Sequence, residues 1–229
     1  MSSLQALVVS GGGRLGDPWH RFAETSASLG AALSDRGYTV EVSDEADSRL
    51  AELASEPPPS LLVVNIGGKE AGRFAEPAAE GLVSALQRGL PTLFVHSTLT
   101  AFPDWALWRE ITGGGWIQGT TYHPDYGPGV ALADPDHPLT AGLDQLVITD
   151  ERYTCLRVDE TSWVFLRHEE AGQRHPLGWT RSWGRSRIVV DALGHDVDAY
   201  RAPGRVTLLE RELDWLHEQE VPAQSNRRI

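Results

Sequence analysis

Along the first hundred positions, apolar residues gather into short β-branched runs separated by stretches of helical spacing. Gln5 to Ser10 (QALVVS) runs straight into Gly11-Gly12-Gly13, the mark of a buried strand opening into a loop. From Arg21 to Arg36, Phe22, Ala23, Ser26, Leu29 and Leu33 recur at roughly helical spacing, and Gly37 supplies the stop. The alternation continues with a strand over Tyr38–Val42, a short helix over Ala46–Ala54 and a strand over Leu61–Ile66 closed by Gly67-Gly68. Pro57-Pro58-Pro59 marks the loop before that strand. A helix over Pro77–Arg88 and a strand over Pro91–His96 follow, with Pro77 in the first turn, where its missing N–H costs nothing. Strands alternating with helices imply right-handed crossovers, so the spacing predicts an α/β fold, doubly wound, with a mainly parallel sheet and helices on both faces.

Past Ile111 the pattern breaks into short pieces at Gly113-Gly114-Gly115, Gly119, Pro124 and Gly127-Pro128-Gly129. Strands are expected over Gln145–Thr149, Thr161–Arg167 and Arg187–Asp191. Val206–Glu220 reads as a last helix, with Leu208, Leu209, Leu213 and Leu216 on one face. The turn density from Gly113 to Pro138 suggests a lid or a subunit contact. Residues 1–220 are expected to form one domain, with 221–229 as a flexible tail.

Composition narrows the partners. A formal net charge of −12 repels phosphate backbones and anionic membrane, which leaves a small neutral or locally steered ligand. Cys155 is the only cysteine, so no intrachain disulfide forms, and a reducing cytosol is the expected compartment. The first residues lack the positive region and apolar core of a signal peptide, and no apolar run approaches the ~20 residues of a membrane span. A homodimer is the assembly to expect on symmetry grounds.

In open α/β sheets ligands bind beyond the carboxyl ends of the strands. That rule gathers the Gly11–His20 loop with its His20, then Asn65 with Gly67-Gly68, then His96 and Ser97. The Gly11-Gly12-Gly13 turn has neither G-x-G-x-x-G spacing nor a Walker lysine, and reads as a site-lining loop rather than a phosphate cradle. His195-Asp196 follows the Arg187–Asp191 strand, so its imidazole is expected to face His96. With Glu151 and His20 these rings make a His/Glu cluster suited either to general acid–base work or to a divalent metal such as zinc. Both chemistries stay open, since no H-x-x-x-H or H-E-x-x-H spacing fixes a metal set. Trp105 and Trp108 are three apart on a short helix and share a face, one for a pocket and one for packing. Asp104, Arg109 and His123 are further candidates for reading a ligand's hydroxyls or carbonyl. His137, His168, His175 and His217 stand in polar contexts and are expected to be solvated.

The series His96-Ser97, Phe102, Trp105, Trp108-Arg109, Gly113-Gly114, Gly119 and His123 resembles the core of the ThuA-like (trehalose utilisation) family. So do Asp150-Glu151-Arg152-Tyr153, Pro176-Leu177-Gly178-Trp179, Gly184-Arg185-Ser186-Arg187 and Leu193-Gly194-His195-Asp196. The resemblance covers most of the chain. It implies a flavodoxin-like fold of the class I glutamine amidotransferase type and a carbohydrate ligand, such as a sugar or 3-keto-sugar derivative. The strand-to-helix elbow carries His96-Ser97 instead of a cysteine nucleophile, so Cys-dependent glutamine hydrolysis is unsupported. A sugar-modifying hydrolase, lyase or isomerase is expected, with His20, His96, Glu151 and His195 as its catalytic groups. Asn65, Ser97, Asp104, Trp105, Arg109 and His123 would bind the substrate. The competing expectations are a sugar-binding or regulatory protein that retains the pocket without catalysis, and an interaction subunit on an amidotransferase-like scaffold.

Overall fold

The computed structural model describes residues 4–55 and 57–218. The expected tail at 221–229, and the last two residues of the helix expected over Val206–Glu220, lie outside the described residues. In chain order the elements are β1 (Gln5–Ser10), α1 (Phe22–Asp35), β2 (Thr39–Ser43), α2 (Ala46–Glu52), β3 (Leu61–Asn65), α3 (Glu76–Arg88), β4 (Thr92–Val95), α4 (Ala106–Thr112), β5 (Gly114–Gly115) and β6 (Gly127–Ala133). They continue with β7 (Gln145–Asp150), β8 (Arg157–Val158), β9 (Trp163–Glu170), β10 (Gln173–Trp183), β11 (Ser186–Asp191), α5 (Val197–Arg201) and α6 (Pro203–His217).

Among the described residues the main sheet has nine strands in the order β2-β1-β3-β4-β11-β10-β9-β6-β7. The β2-β1-β3-β4-β11 half is parallel throughout. Each pairing from β11 to β7 is antiparallel. The parallel half is the doubly wound unit read from the alternating runs, and the broken second half of the chain extends it by hairpins. β1, β3, β4 and β11 are almost wholly buried, as a sheet covered on both faces requires. Helices α2 and α3 pack on each other, while α1, α5 and α6 form a second group. A Cβ on Gly81 of α3 would lie 2.0 Å from the Leu50 carbonyl oxygen of α2, so that crossing tolerates only glycine.

Strand direction alternates from β11 to β7, so β7 ends on the same edge as β4 and β11. Four strand spacings of ~4.8 Å would hold the ends of β7 and β11 roughly 19 Å apart in a flat sheet. Instead the Asp150 carboxylate, at the end of β7, accepts from the backbone N–H of Gly194 at 2.7 Å and of His195 at 3.2 Å. The antiparallel half therefore curls back over the carboxyl edge of the parallel half. Behind that edge, Arg205 of α6 reaches Asp191 of β11 at 2.7 Å and Glu212 at 3.4 Å, all three side chains closed to solvent. This buried ion group ties α6 to the end of β11. Among the described residues no helix is long and apolar enough to cross a membrane.

Three of the histidines expected in solvent are buried. His137 and His168 are 0% exposed and His175 is 7% exposed. His137 accepts from the Leu139 N–H on Nδ1, leaving Nε2–H to donate to Thr180 Oγ1 at 2.8 Å. His168 Nε2 lies 3.2 Å from both the Tyr153 carbonyl and Thr154 Oγ1. Burial lowers both imidazoles to about 4. His217, by contrast, is exposed at the end of α6, its Nδ1 3.0 Å from Tyr38 Oη.

Candidate functional site

The site forms where four loops leave the carboxyl edge. The loop after β1 carries Asp17 and His20. Asp17 accepts from the backbone N–H of Trp19 and of His20, which closes a tight turn, and its carboxylate also lies 2.8 Å from His20 Nδ1. That acceptor places the proton on Nδ1 and aims the bare Nε2 inward. Burial works against ionisation of Asp17, yet the His20 contacts win and its carboxyl sits below the usual range. Gly67, just after β3, makes room: a Cβ there would lie 2.6 Å from Asp17 Oδ2.

His96 begins the turn after β4 with a φ of 43°, a left-handed backbone that a side-chain-bearing residue rarely adopts. The turn points its ring back at the sheet end, where Nδ1 donates to the Ala192 carbonyl at 2.8 Å and Nε2 receives the Tyr153 hydroxyl at 3.1 Å. Burial lowers His96 to about 4, with the nearby His20 adding to the effect against the pull of Glu151. Strain of this kind at a strand end accords with a functional position.

Glu151 follows β7 and His195 follows β11, and Asp150 couples them by holding the backbone of Gly194 and His195. Glu151 Oε2 lies 3.5 Å from His96 Nε2 and 3.3 Å from His195 Nδ1, while Oε1 lies 3.6 Å from His123 Nε2. Burial pushes the Glu151 carboxyl up, but His195 and His96 outweigh it and hold the group well below the usual carboxylate range. For His195 burial disfavours the proton, and Glu151 more than restores it. The ring centroids of His20, His96 and His195 are 4.8 to 5.5 Å apart.

The cluster lies at a hollow of about 440 Å³ lined by Asp17, Trp19, His20, Lys69, Thr100, Trp116, His123, Glu151, Tyr153 and His195. Trp19 stands at its mouth, 71% exposed. A second hollow of about 560 Å³ lies on the outer side of the Gly11–Glu24 loop and shares Asp17 and His20 with it, but it is shallower and lacks the other cluster members. The deeper of the two hollows, which meets His20, Glu151 and His195 together, is therefore the candidate site.

His20, His96, Glu151 and His195 thus converge as their placement at strand ends implies, and His123 joins them at the rim. The other expected binding residues do not line the hollow. Asn65 is buried, its amide donating to Thr25 and Ser26 of α1. Ser97 donates to the Ile66 carbonyl and is likewise buried. Asp104 is exposed, and Arg109 is half-buried on α4. Trp105 and Trp108 do share a face, stacked with centroids 5.8 Å apart, but both pack with Phe74 and Phe102. Asn65 and Ser97 are thus taken up in joining the strand ends to α1 and to the Ile66 carbonyl, and the two tryptophans in an aromatic cluster. Asp17, Trp19, Lys69, Thr100, Trp116 and Tyr153 enter unforeseen. Asp17-Pro18-Trp19-His20 offered a signal, an acid three residues before a histidine with an aromatic between.

The profile of the ThuA family, described as trehalose utilisation, matches residues 5–216. The chain belongs to the ThuA family. Comparison with curated protein sequences gives no match. Among solved structures, the chain is similar to a ThuA-like protein from Parabacteroides merdae, with 20% identity, a TM-score of 0.78 and coverage of 97% of this chain and 94% of that one. A ThuA-like protein from Bacteroides uniformis gives 13% identity and a TM-score of 0.74 over 95% and 92%. A glutamine amidotransferase from Thermotoga maritima gives 12% identity and a TM-score of 0.56 over 95% and 100%, so the fold is of the glutamine amidotransferase-like α/β class.

Proposed function

We propose that this ThuA-family chain is a cytosolic enzyme acting on a sugar or keto-sugar derivative, with His20, His96, Glu151 and His195 as its reacting groups. The observation that carries this reading is the convergence of three imidazoles and one carboxylate, their donor atoms within 4.8 Å of one another, at a half-open hollow. Its volume of about 440 Å³ falls in the range of small-molecule sites. Trp19 and Trp116 offer flat apolar faces for the C–H faces of a sugar ring, and Lys69, Thr100 and His123 offer polar contacts to its hydroxyls. Cluster groups polarise a carbonyl or hydroxyl of the substrate and exchange a proton with it, as general acid–base chemistry requires. The description of the family as trehalose utilisation supports a carbohydrate as the ligand.

Glycosides and 3-keto-glycosides offered to the purified protein are the test. Product formation is expected to vanish in His96→Ala and Glu151→Gln while far-ultraviolet circular dichroism stays native. Full activity in both variants would sink the assignment. Saturable binding without product, lost in Trp19→Ala, would instead identify a sugar-binding protein.

A further inference from the structure

We propose that His20, His96, His195 and Glu151 form a binding site for one divalent transition-metal ion of the zinc type. The inference deepens the proposed function by naming the cofactor of the same hollow, and so rests on that reading for its purpose, though not for its test.

Spacing is the first argument. A tetrahedral ion with bonds of ~2.1 Å holds its ligand atoms about 3.4 Å apart. Glu151 Oε2 already stands 3.5 Å from His96 Nε2 and 3.3 Å from His195 Nδ1, and all four donor atoms fall within 4.8 Å of one another. The wider pairs would close by up to about 1.4 Å onto a common centre.

Ring orientation is the second. Two of the three imidazoles have their outer nitrogen fixed by an acceptor, as ligating histidines do. Asp17 takes the Nδ1 proton of His20, and the Ala192 carbonyl takes that of His96. Both Nε2 atoms are thereby left as lone-pair donors facing the cluster.

Unmet bonding is the third. His20 Nε2 and His195 Nδ1 are buried with no hydrogen-bond partner among the described residues. His195 Nδ1 lies close to Glu151 but off the hydrogen-bonding direction. A protein rarely buries a bare nitrogen without a use for it, and a cation at the shared centre satisfies His20 Nε2 while taking His195 Nδ1 over from its imperfect contact with Glu151. His96 Nε2 would exchange its bond from the Tyr153 hydroxyl for the ion. Three imidazoles with one carboxylate suit zinc and its neighbours over calcium or magnesium, which prefer all-oxygen sets. Glu151 is left with Oε1, which faces His123 Nε2 at 3.6 Å.

The full-length protein, stripped by chelator and dialysed, is to be titrated with Zn²⁺ by calorimetry and with Co²⁺ by visible absorption, without any sugar present. One equivalent of each is expected, with ligand-field bands for cobalt. Affinity is expected to fall by at least about 100-fold in His20→Ala and about 10–100-fold in Asp17→Asn, the second because a neutral amide oxygen replaces the charged carboxylate that holds the His20 Nδ1 proton. X-ray absorption at the zinc edge of the unmutated protein, which avoids any folding defect in a variant, is expected to report imidazole and oxygen scatterers. No stoichiometric uptake, a sulfur scatterer from Cys155, or undiminished binding in folded His20→Ala would each overturn the site. Metal uptake without turnover of any sugar would leave this inference standing and remove the proposed function. Sugar turnover by the chelator-stripped protein that binds no metal would do the reverse.

Discussion

Acidification offers a sharp test of the interior, because His137 is wholly buried with both ring nitrogens engaged, and a second proton on Nδ1 would break the bond it accepts from the Leu139 N–H. Burial lowers it from the ordinary 6.5 to about 4 in the folded chain, whereas the unfolded chain keeps the ordinary value. Between those limits the unfolded state binds the extra proton, so stability rises with pH and is lost as pH falls. At about 1.4 kcal/mol per pH unit the group removes at most about 3 kcal/mol between pH 7 and pH 4. His168, also lowered to about 4, acts in the same direction over the same window. The replacement His137→Asn keeps an oxygen where Nδ1 accepts from Leu139 but carries no titrating ring. Urea unfolding midpoints measured from pH 7 to pH 4 are expected to show a variant slightly less stable at neutral pH, about 1–2 kcal/mol for lost packing and the Thr180 bond. Its further loss on acidification is expected to be smaller than that of the parent by about 2–3 kcal/mol. Parallel pH profiles for the two proteins would refute the reasoning, since they would mean that residue 137 takes up its proton equally in both states.

Two glycine substitutions probe the site and the frame separately. Gly67→Ala would place a methyl 2.6 Å from Asp17 Oδ2 and 3.2 Å from the Phe22 ring, displacing the acid that aims His20. Turnover is expected to fall up to ~100-fold, as misplacement by ~1 Å commonly does, with a native circular dichroism spectrum; unchanged kinetics would count against Asp17 as the orienting group. Gly81→Ala, whose Cβ would lie 2.0 Å from the Leu50 carbonyl, forces α2 and α3 apart and is expected to lower unfolding stability by about 2–4 kcal/mol, read from denaturant melts. A stability unchanged within ~0.5 kcal/mol would show that the helices do not cross this closely.

The parallel half of the sheet was legible because its strands are buried on both faces and read as unbroken apolar runs such as LLVVN and TLFV. In the antiparallel half the strands expected over Gln145–Thr149 and Thr161–Arg167 appear as β7 and β9, whereas β6 and β10 hide behind turn residues. β6 opens with Gly127-Pro128-Gly129, a sequence that signals a loop, yet β9 pairs with it only at Leu132 and Ala133, so Pro128 needs no N–H on that side. β10 conceals its alternation behind a register shift between Pro176 and Gly178, where a Cβ on Gly178 would strike the Phe165 ring at 2.5 Å. His96, Glu151 and His195 could be read because each stands just past a strand and within a family motif, and His20 because its loop follows β1 at the same edge. Trp19, Lys69 and Trp116 could not, since their place at the hollow depends on how far the antiparallel half curls. The burial of His137, His168 and His175 escaped for a related reason: His137 meets Thr180 and His168 meets Tyr153, partners that only pairing between β9 and β10 and the Thr154 bridge bring near.

Because residues 20, 96, 151 and 195 reach their common point along separate loops, with Glu151 delivered by the curled-over half, whatever occupies that point braces the two halves of the chain against each other. An occupant therefore adds its binding energy to the whole fold. Conversely, loosening of the β7 end would withdraw Glu151 and release such an occupant, so its retention would report on the seam between the two halves.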